Sequence, residues 1–390
     1  MDIAGLVQTM IDDQAFFRLV NDPLAQFGTS KENFLGATIL PERPVPDNSF
    51  VEQAVRYRTP IANHGTRYSP VQIKEGMIWG EVRVDLGNSD IGAEFTDKQY
   101  DELVRLMQKA YGINGQGAQV GSAIRVPTMQ AMTQITNWVK TALVDPLLVR
   151  NEKDRWDAIV DAQVNMSGDN GYSETVTYPN PTGHRVNVGG TWSSNTYDPW
   201  TDVMAAAEFL RAKGYEVGRI IMPVQVRTIL SNNLLMRQRA GKILIQTNLL
   251  TGIPGRLTDG ELNSLFNDDG LPAFELYDRQ YFTQGDAASS VTTAGVTVYG
   301  NWYLKRTVMV FIAKTGRDEE IDRGDMEPVV VQDTLGYVGV GRPAGQPVPG
   351  KAVEIEMRTG KNKGIEGQAW QTSLPVILEP EAIYVLKNIG

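Results

Sequence analysis

Residues 186–233 read VNVGGTWSSNTYDPWTDVMAAAEFLRAKGYEVGRIIMPVQVRTILSNN: a helix, a strand and a second helix. Asp198-Pro199 opens the first helix, which runs to about Lys213. Val203, Ala206, Ala207 and Leu210 fall on one face of it, at the spacing of an amphipathic helix. Gly214 ends it. Val217–Met222 follows as a short strand, and its end, Ile220-Ile221-Met222, is a continuous apolar run, the pattern of a strand buried on both faces. Pro223 starts a further helix over 224–240. Arg237, Arg239 and Lys242 gather at its end, where cations complement the helix dipole. Helix, strand and helix in this order make an α/β layer.

Immediately upstream, residues 167–198 are rich in Gly, Asn, Ser, Thr and Pro, with short strand-like pieces at 174–178 and 184–188. Before them lies a long helical region, from about Pro127 to Met166. Ile135, Trp138, Val139, Ala142 and Leu143 carry its first stripe and Trp156, Ile159, Val160 and Val164 its second. Pro146 is expected to kink or break it, and Asn151 to cap its continuation. Some forty residues of helix span about 60 Å, more than a compact domain's width, so the element reads as a beam. Downstream, from about residue 270, the chain reads as strands at 273–277, 296–299, 308–312, 329–332, 353–358, 374–378 and 383–386, separated by turn chemistry. The whole is α+β in character.

Towards the N-terminus, residues 2–20 read as a short amphipathic helix stopped by Asn21-Asp22-Pro23. Six more Pro and Gly breakers follow up to residue 60. So long an irregular stretch fits poorly inside one compact domain and reads as an arm lying across something else. Residues 70–86 alternate as a hairpin with its turn near Glu75-Gly76, a projecting flap. Thr96 then caps a helix to about Tyr111, with Tyr100, Leu103, Leu106, Met107 and Ala110 on one stripe.

The 390 residues suffice for two or three globular units. Apolar residues make up 42% and charged residues 21%, the balance of a soluble globular chain, and the net charge is −9, which argues against a surface specialised to grip nucleic acid. Cys is absent and His occurs only at His64 and His184. That excludes disulfides, a cysteine nucleophile and zinc sites built on Cys or several His. No stretch reaches the roughly 20 apolar residues of a membrane span. The N-terminal stretch has no basic n-region and is not expected to be a secretory signal.

Candidate chemistry is sparse. Gly115-x-Gly117-x-x-x-Gly121 follows a helix instead of a strand, so a flexible loop is the better reading than a phosphate cradle. Gly241-Lys242 and Gly350-Lys351 lack the rest of a nucleotide-binding loop, and there is no G-x-S-x-G elbow. His64 and His184 stand in turn-like contexts that favour a solvated or backbone-bonded imidazole over a catalytic one. No carboxylate pair stands out. The mixed-sign cluster at 316–325 reads as a solvated loop, or as one that pairs with a neighbouring subunit in an assembly. The seven Trp are scattered, as core or interface anchors would be. No catalytic, cofactor-binding or metal-binding residue is assigned, no cofactor is expected, and the unusual features are architectural.

Those features, in their order and spacing, resemble the major capsid proteins of tailed double-stranded DNA bacteriophages with the Hong Kong 97 fold, in the lambda major capsid protein E-like branch. The extended loop would include TPIANHGTRYSPVQIKEGMIWGEVRVDLG (59–87), followed by the helix FTDKQYDELVRLMQKAYG (95–112), and the 127–166 beam would be the spine helix. In 186–233, Trp192, Asp198-Pro199, Gly214 and IIMPVQVRTIL carry the axial-domain pattern. LPAFELYDRQYF (271–282) and SLPVILEPEAIYVL (373–386) complete it. The resemblance implies an N-terminal arm (1–59), an extended hairpin loop (60–95), a peripheral domain with the spine helix (96–198), an axial domain (199–328) and closing strands that return to the peripheral domain (329–390). It implies a non-enzymatic subunit that self-assembles into hexamers and pentamers of an icosahedral head enclosing double-stranded DNA. The virion is its location, and assembly takes place in the host cytoplasm. A portal and a decoration or cement protein are implied as partners. Only about 60 residues precede the hairpin, so scaffolding is expected from a separate protein or from none. The family's founder crosslinks Lys to Asn between subunits; here Lys74 lies near the hairpin tip with no carboxylate to single out, and no such crosslink is expected. The alternatives are an encapsulin-like nanocompartment shell and, from another class, a soluble hydrolase.

Overall fold

The computed structural model describes residues 5, 7–8, 14–28, 34–57, 77–95, 97–111, 122–168, 173–241, 256–282, 291–293, 296–298, 300–323, 326–358 and 364–390. Two five-stranded sheets organise them. In the first, the long strand Gly364–Ile377 pairs antiparallel with three others. Lys351–Arg358 and Gly87–Glu94 flank most of it, and Gly336–Val340 takes its C-terminal end. Glu42–Pro44 closes the edge, parallel to Gly336–Val340. The close pairing at the corner depends on Gly336, whose φ is 153° and where a Cβ would lie 2.0 Å from the Val376 carbonyl oxygen.

The second sheet runs Arg185–Asn187, Ile383–Lys387, Met309–Ala313, Val217–Met222, Phe274–Leu276. Its two outer pairings are parallel and its two central ones antiparallel. Successive side chains of a strand face opposite ways, and here the alternation divides two cores. Ile221, Val310, Ile312, Ile383 and Val385 pack with the spine helix and the first sheet. Ile220, Met222, Met309, Phe311, Tyr384 and Leu386 pack with Trp192, Trp200, Leu210 and Phe266. The unbroken run Ile220-Ile221-Met222 is therefore buried on both faces, as its composition predicts.

Pro199–Ala212 covers the second face. Asp198 caps it by accepting from the Trp200 N–H at 3.1 Å, and Gly214 takes a φ of 81° at its end. The helix expected over 224–240 is two helices, Val224–Asn232 and Leu234–Arg239. Asn233 separates them because its side chain does two jobs. It caps the second helix through Leu235 N–H and Met236 N–H, and it donates to the carbonyls of Trp192, Ser194 and Tyr197.

The beam is Ser122–Trp138, a wider π-helical stretch Val139–Val144, and Asp145–Asp161, one continuous run of about 60 Å. Pro146 does not break it. The Asp145 N–H already reaches back to the Lys140 carbonyl, so the register has slipped before the residue without an N–H arrives in the next first turn. The helix stops at Asp161, short of the expected Met166, because Ala162 adopts a left-handed φ of 55°. Gln163–Ser167 then forms a strand with Ser173–Thr177. Asn151 caps nothing: it lies inside the helix and is buried. At Gly367 the sheet comes close to the beam, and a Cβ there would lie 2.7 Å from both Leu143 and Trp138.

Three expectations on the arm, the hairpin and the closing strands are corrected. Within 1–59, residues 34–45 are core: Phe34, Ala37, Ile39, Leu40 and Val45 are buried, tucked against the chain's own spine helix instead of reaching away. Met77–Asp85 pairs with Ser49–Tyr57, from Ser49↔Asp85 to Tyr57↔Met77. The expected turn at Glu75-Gly76, with Val71, Ile73 and Lys74, lies outside the described residues, as do Thr96 and the loop 112–121. Alternation marks a strand without naming its partner, and the true partner was hidden in the Pro-rich stretch. Finally, Ile383–Lys387 does not return to the sheet of Gly364–Ile377; it lies inside the second sheet.

Candidate assembly surfaces and a buried polar cluster

The most concentrated polar chemistry lies where the N-terminal segment, the spine helix and the first sheet meet. Glu152 is fully buried, and one of its oxygens accepts from Gly36 N–H (2.8 Å), Trp156 Nε1–H (2.8 Å) and the Tyr277 hydroxyl (2.6 Å). Burial pushes the Tyr277 phenol up, so it stays a donor. Gly36 is required by this approach, since a Cβ would lie 2.7 Å from Glu152 Oε2. Arg155, also fully buried, donates from Nε to the Leu40 carbonyl at 2.8 Å and lies 3.4 Å from Glu152 and 3.7 Å from Glu42. Glu42 is bound by Lys351 Nζ at 2.8 Å and Asn151 Nδ2 at 2.7 Å. Burial alone would raise its carboxyl, but the Lys351 and Arg155 charges outweigh that and hold it below the usual range. Buried charges persist only when paired and hydrogen-bonded, and this set pairs its charges across three parts of the chain, with Arg155 Nη2 alone left at ion-pair distance from Glu42 and without a hydrogen bond.

Asp154, one turn away, is less well compensated. Burial pushes its carboxyl up to about 6 despite Arg150 at 3.1 Å and the nearby Lys153. The folded carboxyl binds its proton more tightly than the unfolded one, whose pKa is near 3.8. Ionising it therefore costs stability that is absent below about pH 4 and complete above about pH 6. Asp154→Asn, which mimics the protonated form, is expected to raise the melting temperature of the protein at pH 7, by up to about 3 kcal/mol of stability. Thermal unfolding at pH 4 and pH 7 checks this: the gain vanishes at the lower pH.

The residues weighed as chemical sites are dispersed. His184 is buried, its Nδ1 2.7 Å from the Ile383 carbonyl and its ring edge-on to Phe209. Burial lowers its pKa, so the imidazole is neutral and bonded to backbone. His64, Gly115, Gly117, Gly121 and Lys242 lie outside the described residues. Gly350-Lys351 opens a strand and sends its lysine into the polar cluster. The 316–325 cluster is no simple solvated loop. Glu319–Arg323 pairs with Met326–Val331, Ile321 is buried, and Glu319 and Arg317 lie 3.7 and 3.8 Å from Arg43 and Glu379. Among the described residues no group of three or more His, Asp or Glu could hold a metal ion, and no helix is long and apolar enough to cross a membrane.

The outward-facing features are two-stranded ribbons: 49–57 with 77–85, 163–167 with 173–177, and 319–323 with 326–331. A lone hairpin is marginal in water, so each depends on its base. Two of the bases are linked. The Tyr337 hydroxyl donates to Glu52 at 2.9 Å, and Arg43 lies over the Tyr337 ring at 4.6 Å while facing Glu319. Beyond the bases, Val51 and Val330 are more than half exposed, and Phe282 is 71% exposed. Strands with open edges and exposed apolar side chains are where another chain pairs.

No protein-family model and no curated protein matches the sequence. Solved structures do. A prophage protein of E. coli CFT073 described as a capsid protein superposes with a TM-score of 0.56 at 13% identity, over 96% of this chain and 98% of that one. A phage-related protein of Bordetella bronchiseptica RB50 gives 0.48 at 14% identity, over 94% and 97%. The capsid of Myoviridae phage XM1 gives 0.40 at 11%, over 91% of each. Nearly the whole length of the chain thus takes the α+β capsid fold of the Hong Kong 97 type.

Proposed function

We propose that this chain, built on the Hong Kong 97-type fold, is the major capsid subunit of a tailed double-stranded DNA bacteriophage and has no enzymatic role. The observation that carries the reading is the match of fold along 96% of the chain to a protein described as a prophage capsid protein. The ribbons support it, because their open edges and exposed Val51 and Val330 are surfaces a neighbouring subunit can cover, as is the exposed Phe282 outside them. Hexamers and pentamers of an icosahedral shell are the assembly this implies, formed in the host cytoplasm and ending in the virion. Portal, separate scaffolding and decoration proteins are its expected partners. The net charge of −9 per subunit multiplies over a shell, and a shell without a basic surplus does not grip packaged DNA.

Size-exclusion chromatography and negative-stain microscopy of the purified protein test the assembly. Closed shells or capsomers are expected, and a monodisperse 43.1 kDa monomer that turns over a substrate would overturn the reading. Contents separate the two kinds of shell. Particles released by the producing host should hold double-stranded DNA, whereas protein cargo without nucleic acid identifies a nanocompartment.

A further inference from the structure

Three groups of the buried cluster stand in a reactive order. Lys351 Nζ lies 2.8 Å from Glu42 Oε2, and Glu42 Oε1 accepts from Asn151 Nδ2 at 2.7 Å. The other end of the same carboxamide, Asn151 Oδ1, accepts from Gln371 Nε2 at 2.7 Å and Ser373 Oγ at 2.9 Å. A nucleophile and an electrophile thus share one carboxylate, and the carbonyl oxygen where negative charge would develop already holds two donors. All five side chains are at least nine-tenths buried. The Lys351 backbone is pinned as well, its N–H donating to Asn21 Oδ1 at 2.7 Å.

We propose that Lys351 and Asn151 join in an intramolecular isopeptide bond, with Glu42 as proton carrier. Glu42 takes a proton from the Lys351 ammonium, and the amine attacks Asn151 Cγ. Gln371 and Ser373 stabilise the oxyanion. Glu42 passes its proton to Nδ2, the Cγ–Nδ2 bond breaks and the Nζ–Cγ amide remains. Of the three Nζ protons, one stays in the amide and two leave with the Asn nitrogen as ammonium; nothing is oxidised or reduced. Burial of Lys351 and Asn151 excludes the water that would hydrolyse the carboxamide. Arg155, 3.7 Å away, keeps Glu42 ionised and able to accept. A reaction needed once per molecule tolerates a slow step, because the groups are held together permanently. The bond ties the spine helix to the first sheet within one subunit, so it produces no ladder of multimers on a denaturing gel.

Intact-mass spectrometry of the denatured full-length protein tests the proposal, and it does so whether or not the chain forms shells. The expected mass is that of the sequence less one ammonia, and a tryptic digest should hold a branched peptide joining the segments around Asn151 and Lys351. Glu42→Gln, checked for folding by circular dichroism, is expected to restore the full mass. Wild-type protein that stays at full sequence mass after prolonged incubation overturns the proposal. So does a loss of ammonia without the branched peptide, which marks a cyclised asparagine instead.

Discussion

Arg155→Ala lowers the stability of the protein by about 3–5 kcal/mol, the cost of leaving a buried carboxylate without its partner. Arg155 is fully buried, lies between Glu152 and Glu42, and holds the Leu40 carbonyl through Nε. Its loss removes the cation paired with Glu152 and one of the two beside Glu42, and frees the segment 34–45, so soluble yield should fall with the denaturation midpoint. Size is not the main term. Arg155→Met fills most of the volume and should remain strongly destabilised, whereas Arg155→Met combined with Glu152→Gln should recover a large part of the loss. Chemical denaturation of the four proteins measures this. Arg358, whose pairs with Glu94 and Glu366 are exposed, is the comparison: Arg358→Ala is expected to leave the midpoint where it is. Additive losses in the double variant would show that the charges act separately.

Gly336→Ala is the second large effect. The new methyl would sit 2.0 Å from the Val376 carbonyl oxygen, in the backbone of the paired strand, at a φ of 153°. A flexible side chain can move aside; a strand held by a full ladder cannot. Backbone strain and overpacking each cost about 1–3 kcal/mol, and they add here because relieving the contact breaks the Gly336↔Ile377 pairing. Gly345→Ala isolates the strain. Its φ is 77° with nothing within 4 Å of the added atom, so only about 1 kcal/mol is expected. Equal shifts for the two variants would show that conformation, and not the collision, sets the cost.

What could be read from the residues was local. The 198–222 segment announced its cap, its stop and its doubly buried strand, because each signal sits within a few residues of its effect. The long helix was equally plain from its stripes. Pairing over distance was not legible. Nothing near Met77–Asp85 names Ser49–Tyr57 as its partner, and nothing in Ile383–Lys387 tells which sheet receives it. The polar cluster left one faint signal: Glu152 lies on the same helical face as Trp156 and Ile159, so a charge stands in an apolar stripe. Asn151 was misread as a cap because Pro146 suggested a break that the π-helical stretch absorbs.

The second sheet is a party wall. Each of its three central strands gives alternate side chains to the rooms on either side, so neither room can turn without tearing the plaster of the other. A tile of this kind stays stiff. Any change in the curvature of a vault made from such tiles must then be taken up at the joints between them and in the slender ribbons at their rims.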